Sequence, residues 1–277
     1  MKKTGVGLFE TLNQNIQLKN VFGSLQNDKK ENSPPIIHQN NNKEISSIVL
    51  SEKRLQILEN EETNIRKSLK QDSTLNGECL DMCPEIERCF REAKQRFSYF
   101  ECDPKQLEIS NNWIFDHSRA IKDYSRSSAD QAFPLSSDLR PAGVLLKTLH
   151  YLLANVVDQP ETKSHLKHIW KHWYEFLWTR TRAIRKDIIQ QRLCNETTAL
   201  ILETIVRFHI FSAAKLIDQP CDVFDATINS ENLSKCLQSL REVYSDLAKS
   251  SNKTLDSESE FRAYMILMKL NDDNVIE

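Results

Sequence analysis

The hydrophobic positions of this chain recur at the spacing of helices rather than of strands. From Ile86 to Phe100 the apolar residues fall three or four positions apart, which predicts a helix with one buried stripe. Pro84 suits the start of that helix, because a proline has no N–H to leave unpaired there, and Asp103-Pro104 would end it. No segment shows the alternation typical of a strand. We therefore predict an all-α protein.

Further helices are predicted at the same spacing, separated by prolines or polar turns. Ser51, Pro141 and Asn195 suit helix starts, because serine and asparagine cap the first turn and proline fits its first position. The predicted helices cover residues 51–70, 113–126, 141–156, 196–217, 229–247 and 257–270. Helices of this length with short links predict stacked helical hairpins, an α-solenoid, and no sequence period assigns it to a consensus repeat class.

The first 50 residues differ in composition from the rest of the chain. The run from Asn27 to Lys43 has few core-forming residues and contains a proline pair and an asparagine triplet, which is typical of disorder. We predict three regions. They are a disordered polar tail over 1–50, an amphipathic helix and linker over 51–76, and a helical domain over 77–277.

Composition and charge exclude several classes of protein. The 277 residues carry 37 Lys and Arg against 39 Asp and Glu, a formal charge of −2, so net charge does not select a partner. No apolar run approaches the roughly 18 residues of a membrane span. The seven cysteines are an odd number in a chain too long to depend on disulfides, which favours a reducing compartment, the cytosol or the nucleus.

Familiar catalytic motifs are missing from the sequence. Three of the five glycines precede residue 25, which leaves little from which to build a phosphate-binding loop. There is no G-x-S-x-G elbow and no H-E-x-x-H pair. Asp123 and Asp187 are isolated carboxylates that we expect to pair with nearby Arg or Lys. We predict that the protein is not an enzyme and uses no cofactor.

Two groups of potential metal ligands have a second interpretation. Cys79 and Cys83 are spaced like half of a zinc site, but no matching pair follows, so small buried hydrophobic residues are the favoured interpretation. His165, His168 and His172 share one helical face, and the lysines between them would repel a cation. A solvated basic face is the favoured interpretation of these histidines, and we predict no metal.

The segment Thr162–Arg192 combines tryptophans with cations. It holds three of the four tryptophans and eight Lys and Arg residues against two acidic ones, with no Gly or Pro, which predicts a long helix or a closely coupled helix pair. The candidate surface for nucleic acid or an acidic partner consists of Lys167, Lys171, Arg180, Arg182, Arg185, Lys186 and Arg192. Three interpretations remain open: cations that only stabilise the helix and pack on rings, cations that bind phosphates, and cations that bind an acidic protein.

Several stretches together resemble the GANP family, also described as leucine-permease transcriptional regulators. The stretches, in family order, are Gly77–Arg88, Lys122–Asp130, Leu139–Pro141, Trp173–Asp187, Gln190-Gln191, Arg207–His209 and Asn232–Leu240. The motif residues to which we assign a structural role are Asp81, Cys83, Pro84, Trp173, Trp178 and Asp187. The resemblance covers about residues 77–270, and it rests on the order and combined length of the stretches.

The resemblance implies a function as well as a fold. Members of this family are scaffold subunits of the nuclear transcription-and-export complex, with stacked hairpins of the PCI/TPR-like kind. They pair with a PCI-domain subunit and a small acidic subunit and help to bring messenger RNA to the nuclear pore. We accordingly expect a non-enzymatic scaffold of messenger-RNA export, in the nucleus near its envelope, with RNA contact as a secondary expectation.

The resemblance also leaves an alternative open. Family members continue into a winged-helix segment, which we expect to be incomplete at Glu277. A shorter relative in the family is associated with centrosomes and spindles. The alternative function is therefore that of a centrosome- or spindle-associated protein of cell division, located in the cytoplasm or at the centrosome.

Overall fold

Helices make up most of the described structure of the chain, and segments without regular secondary structure link them. The computed structural model describes residues 40–68, 75–110, 113–126, 133–163, 168–251 and 254–270. Within these ranges there are α-helices, two single 3-10 turns and no strand, apart from one isolated bridge between Cys102 and Phe115. The all-α prediction is confirmed. The predicted disordered tail lies outside the described residues as far as position 39.

The α-helices follow one another with short links. They are α1 (Asn40–Ser68), α2 (Glu85–Ala93), α3 (Pro104–Ser110), α4 (Ala142–Asn155), α5 (Gln159–Thr162), α6 (Ile169–Gln190), α7 (Glu196–Leu216), α8 (Ala226–Ser251) and α9 (Glu258–Lys269). The 3-10 turns are Tyr99–Glu101 and Ser136–Asp138. Helix α1 begins eleven residues before Ser51, so residues 40–50 are helical.

Two compact units form from these elements. The first consists of the described residues of 1–71 and 85–120, and the second of the described residues of 72–84 and 121–277. In the first unit α1 packs along α2. The buried carboxylate of Glu92 accepts a hydrogen bond from Ser51 of α1 and lies 2.7 Å from Nε2 of His117. These hydrogen bonds and the pairing of His117 hold the pKa of Glu92 below its ordinary value against the opposing effect of burial.

The helix predicted from Pro84 to Phe100 is shorter than expected. It ends at Ala93, and Gln95 adopts a left-handed conformation with φ of 52°. Phe97 lies outside the helix and stacks on Phe115, with ring centroids 5.0 Å apart. The predicted buried stripe is wrong for the helix itself, because Phe90 is exposed and the buried residues of α2 are Cys89, Arg91 and Glu92. Phe100, beyond the helix, is buried as expected.

The segment around Asp103-Pro104 begins a helix instead of ending one. Pro104 is the first residue of α3, and the side chain of Asp103 accepts a hydrogen bond of 2.9 Å from the N–H of Lys105. Both residues thus form a helix start, the position that suits a proline and an aspartate.

The helix predicted over 113–126 is wrong. That segment has no regular secondary structure apart from one turn and the bridge at Phe115, because its backbone is paired with distant residues. In the first unit the Asp116 N–H donates to the carbonyl of Glu101 at 2.9 Å, and in the second the Lys122 N–H donates to the carbonyl of Met82 at 3.0 Å. Those partners take the place of intrahelical hydrogen bonds.

The second unit is built on α4, α6, α7 and α8. Trp173 of α6 is fully buried, and its indole N–H donates to the carbonyl of Val157 at 3.0 Å. Two predicted helix starts are confirmed, since Pro141 precedes α4 and Asn195 caps α7 by accepting from the N–H of Thr198 at 2.8 Å. Helix α8 begins three residues earlier than predicted.

A buried hydrogen-bonded triad joins α6, α7 and α8. The Oδ1 atom of Asn229 accepts from the hydroxyl of Tyr174 at 3.2 Å and from Nδ1 of His209 at 2.8 Å. The side-chain amide of Asn229 donates in turn to the carbonyl of His209 at 3.0 Å. Burial is the main cause that lowers the pKa of His209 to about 4, and the nearby cations act in the same direction.

Candidate functional site: a buried aspartate and the basic face of helix α6

Asp187 is the most strongly paired carboxylate of α6. It is fully buried, and its Oδ1 accepts from Nζ of Lys122 at 2.7 Å while its Oδ2 accepts from Nε of Arg140 at 2.7 Å. Arg140 is also fully buried, and its Nη1 donates to the carbonyl of Met82 at 3.1 Å. Two cations thus share one carboxylate inside the protein. The predicted pairing of Asp187 with Arg and Lys is confirmed.

Gln191 extends this network by one helical turn. Its side-chain amide donates to the carbonyls of Arg140 at 2.9 Å and Asp187 at 3.0 Å, and its Oε1 accepts from the N–H of Gly77 at 2.8 Å. A Cβ on Gly77 would lie 2.6 Å from that Oε1 and 2.6 Å from the carbonyl oxygen of Leu139. Only glycine therefore allows the backbone to approach so closely.

We call Gly77, Met82, Lys122, Arg140, Asp187 and Gln191 the Asp187 node. The node joins several of the stretches on which the resemblance rests, although up to 114 positions separate its paired residues. Sequence reasoning did not assign a role to Lys122, Arg140 or Gln191, but each lies within a stretch that was singled out. Their membership in those stretches was the signal that could have identified them.

The structure places the motif residues in three kinds of environment. Cys83, Pro84, Trp173 and Asp187 are buried, Trp178 is partly buried, and Asp81 is exposed. The Trp178 ring is nearly parallel to the ring of Tyr174, with centroids 6.4 Å apart. The structural role assigned to these six residues stays a prediction, and their burial agrees with it except at Asp81.

A segment without regular secondary structure covers part of the basic face of α6. We call residues 121–126 the 121–126 strap. Nη1 of Arg180 lies 2.5 Å from Oδ1 of Asp123, and the Arg180 guanidinium also lies 4.6 Å from the ring centroid of Phe176. The Arg180 side chain is only 4% exposed. The predicted pairing of Asp123 with an arginine is confirmed.

The next two strap residues contact the next cations of α6. The Arg182 guanidinium lies 3.8 Å from the ring centroid of Tyr124 and 4.7 Å from that of Trp178, within the range of cation–π contacts. Nζ of Lys186 donates to the carbonyl of Ser125 at 2.8 Å. Burial, followed by the proximity of another lysine, lowers the pKa of Lys186.

The remaining predicted cations are dispersed along the helix. Lys171 pairs with Asp222 at 3.4 Å near the start of α6, Arg185 is partly buried, and Arg192 is exposed with φ of 52°. Lys167 lies outside the described residues. The structure therefore gathers Arg180, Arg182 and Lys186 under the 121–126 strap and leaves the others apart. Their use as a binding surface stays a prediction.

Two groups of residues in the sequence were considered as metal ligands, the cysteines near Cys79 and the histidines near His168. Cys79 and Cys83 are buried, and burial raises the pKa of the Cys79 thiol. Across the part of the chain that the structure describes, no three His, Cys, Asp or Glu side chains are placed to hold a metal ion. Of the helices described, none has the length and apolar character needed to cross a membrane. His165 lies outside the described residues. His168 precedes α6 with a left-handed φ of 59°, so the prediction that it shares a helical face with His172 is wrong.

Comparison with known proteins identifies the family of the chain. The model of the SAC3/GANP family matches residues 82–277. The chain belongs to the SAC3/GANP family. The matched SAC3/GANP region contains α2 to α9, the 121–126 strap and every member of the node except Gly77. Helix α1 lies before it.

Three SAC3/GANP relatives illustrate the extent of the likeness. The chain is 40% identical over 229 residues to the Protein xmas of Drosophila melanogaster. The aligned region covers 82% of the chain and 11% of that relative. It is 34% identical over 208 residues to SAC3 family protein B of Arabidopsis thaliana (73% of the chain, 11% of the relative). It is 34% identical over 212 residues to SAC3 family protein 1 of Schizosaccharomyces pombe (76% and 19%). The chain therefore spans a fifth or less of their length.

Proposed function

We propose that this chain is a non-enzymatic helical scaffold in nuclear messenger-RNA export. Membership of the SAC3/GANP family supports the export role, and the observation that supports a scaffold in place of an enzyme is the Asp187 node. Asp187, Arg140 and Lys122 are charged groups of the kind found in active sites, yet both cations are paired with the one carboxylate inside the fold. Such groups position helices and do not meet a substrate, which favours a structural role for the motifs of the family.

Partners and location extend the same proposal. By resemblance to its family, the scaffold pairs with a PCI-domain subunit and a small acidic subunit and works near the nuclear pore. Stacked helices such as α4, α6, α7 and α8 offer extended lateral surfaces of the kind that hold several subunits together. In this proposal the chain couples transcription to export through protein contacts.

Capture from nuclear extract tests the scaffold proposal. A tagged chain is expected to recover a PCI-domain protein together with a small acidic protein. Asp222→Ala, which alters an exposed ion pair, should recover them equally, whereas Asp187→Ala should lose them as its helices become unstable. Recovery of centrosomal proteins without a PCI-domain subunit would reject the export role.

Imaging distinguishes the centrosomal alternative from the export proposal. A fluorescent fusion of the chain in interphase cells should mark the nuclear rim if the export proposal holds. A signal confined to centrosomes and spindle poles would favour the alternative of a cell-division protein. The two outcomes exclude each other as the main location.

Direct contact with RNA is a second proposed activity of α6. The observation that favours it is the concentration of cations beside aromatic rings, in which Arg182 lies over Tyr124 and Trp178. Phosphate contacts of this kind are independent of sequence and sensitive to salt. Replacing the exposed Arg192 by Ala should reduce the slope of log K against log salt by about 1. An unchanged slope would exclude Arg192 from the contact.

A further inference from the structure

We infer that the 121–126 strap occupies an RNA-binding site on α6, so that single-stranded RNA and the strap compete for the same cations. The inference rests on the RNA contact proposed for α6 and adds how that contact is regulated. Three successive strap residues supply a carboxylate, an aromatic ring and a carbonyl oxygen. A nucleotide would present to the same helix a phosphate, a base and further oxygens.

The first correspondence is between a carboxylate and a phosphate. Asp123 places Oδ1 2.5 Å from Nη1 of Arg180, the distance of a charge-assisted contact. Arginine binds carboxylates and phosphates through the same planar set of donors. The Arg180 side chain is 4% exposed while that of Asp123 is 45% exposed. The carboxylate is therefore the outer member of the pair, in the position that an incoming phosphate would take.

The second correspondence is between a tyrosine ring and a base. Tyr124 lies 3.8 Å from the Arg182 guanidinium, and Trp178 approaches the same guanidinium at 4.7 Å. A base that replaced Tyr124 would stack on the guanidinium beside an indole ring, which is the usual arrangement in proteins that bind single strands. Stacking also distinguishes RNA from an acidic peptide, whose side chains carry charge without a ring.

The outer part of the strap can leave while its inner part stays in place. Ile121 is fully buried and Lys122 is held by Asp187, so these two residues anchor the segment. Beyond them Ser125 and Arg126 are exposed. Exchange of residues 123–126 for RNA therefore leaves the Asp187 node intact.

The charges near the 121–126 strap also favour the binding of RNA. Arg180, Arg182 and Lys186 lie within two turns of α6, and burial with a neighbouring lysine already lowers the pKa of Lys186. Asp123 is the strap carboxylate that meets this group. Without it the site would be more positive, which favours a polyanion.

Fluorescence anisotropy with a labelled uridine oligonucleotide of about 12 nucleotides tests the inference on the full chain. The variant is Asp123→Asn, which removes the charge but keeps the acceptor for the N–H of Tyr124, now 2.7 Å away. The matched control is Asp222→Asn, which removes a charge of the same sign beside Lys171 at the other end of α6. Circular dichroism and thermal unfolding establish that both variants fold.

If the strap competes with RNA, Asp123→Asn should tighten the apparent Kd by about 5- to 20-fold, because more of the protein has an open site. Asp222→Asn should change it by less than about twofold. Tyr124→Leu, which keeps an apolar side chain and loses the stack, should also tighten binding. An equal gain in RNA affinity in Asp123→Asn and Asp222→Asn would overturn the inference. So would an Asp123→Asn variant with no gain in affinity, or the absence of detectable RNA binding in the unaltered chain and all variants.

A second probe fixes the class of ligand. Poly-glutamate of matched charge should gain less from Tyr124→Leu than the oligonucleotide does, and an equal gain would overturn the assignment to RNA. Capture of the PCI-domain subunit is measured on the same variants. Because Asp123→Asn should leave that capture unchanged, failure of the strap inference is distinguished from failure of the scaffold proposal.

Discussion

Replacing Asp187 by Ala should destabilise the second unit strongly. The substitution leaves the fully buried Arg140 without its carboxylate partner. It also leaves Lys122 with the backbone carbonyl of Asp138 as its remaining acceptor. Removing one partner of a buried ion pair typically costs about 3–5 kcal/mol, because the remaining charge stays out of water. In a domain of this size such a loss lowers the thermal midpoint by about 6 to 20 °C.

Urea denaturation followed by circular dichroism measures the effect. The control is Asp222→Ala, since Asp222 pairs with Lys171 at 3.4 Å and its side chain is 71% exposed. Its loss should cost about 0–1 kcal/mol, as is usual for a surface ion pair. The slope of free energy against urea should be similar in the two variants, which would show that both unfold the same structure.

A double variant tests the cause of the loss. Replacing the buried pair together, as Arg140→Met with Asp187→Leu, removes the fully buried charge of Arg140, while Lys122 keeps the carbonyl of Asp138 as an acceptor. The double variant should therefore recover at least half of the stability lost by Asp187→Ala. If Asp187→Ala cost no more than Asp222→Ala, the node would not stabilise the fold and the reasoning would be refuted. The same conclusion would follow if the double variant were as unstable as both single losses added together.

Three further predictions concern local features of the fold. Gly77→Ala should destabilise the protein by about 1–3 kcal/mol in urea denaturation, because its Cβ would clash with backbone. Gly143→Ala, with open space around its Cβ, should be neutral or stabilising by up to about 1 kcal/mol. Similar effects of the two substitutions would contradict the close approach at Gly77. Because the pKa of His209 is about 4 in the folded chain and higher when unfolded, its contribution to stability is present above pH 6.5 and is lost as pH falls from 6.5 towards 4. As pH falls across that range, the free energy of unfolding should therefore decrease by roughly 3 kcal/mol less in His209→Gln than in the unaltered chain. Parallel curves of free energy against pH would disprove the buried neutral imidazole. Ser51→Ala should weaken the docking of α1 by about 1 kcal/mol, seen as faster hydrogen exchange along α1, while the exposed Ser46→Ala should leave exchange unchanged.

The helices of the second unit could be predicted because their signals are local. Helix α4 was expected over 141–156 and α7 over 196–217, and both lie within one residue of those bounds at each end. Their apolar stripes, the proline before α4 and the asparagine cap of α7 all act within a few residues. Such short-range patterns are what a single sequence displays.

The segments that were mispredicted depend on distant partners. Residues 113–126 contain apolar positions at helical spacing, yet their backbone pairs with residues far away in the chain, such as Met82. The basic face of α6 could not be evaluated for the same reason. A count of its charges shows Arg180 but does not show that Asp123, 57 positions earlier, covers it.

The triad of Tyr174, His209 and Asn229 limits how the helices of the second unit can slide past one another. Apolar side chains alone would tolerate a shift of α8 along α7 by one turn, about 5.4 Å, with some repacking. Such a shift would carry Asn229 away from both of its partners and leave a phenol, an imidazole and a carboxamide unpaired inside the protein. A single asparagine therefore sets the alignment of three helices, so that α6, α7 and α8 pack in one register.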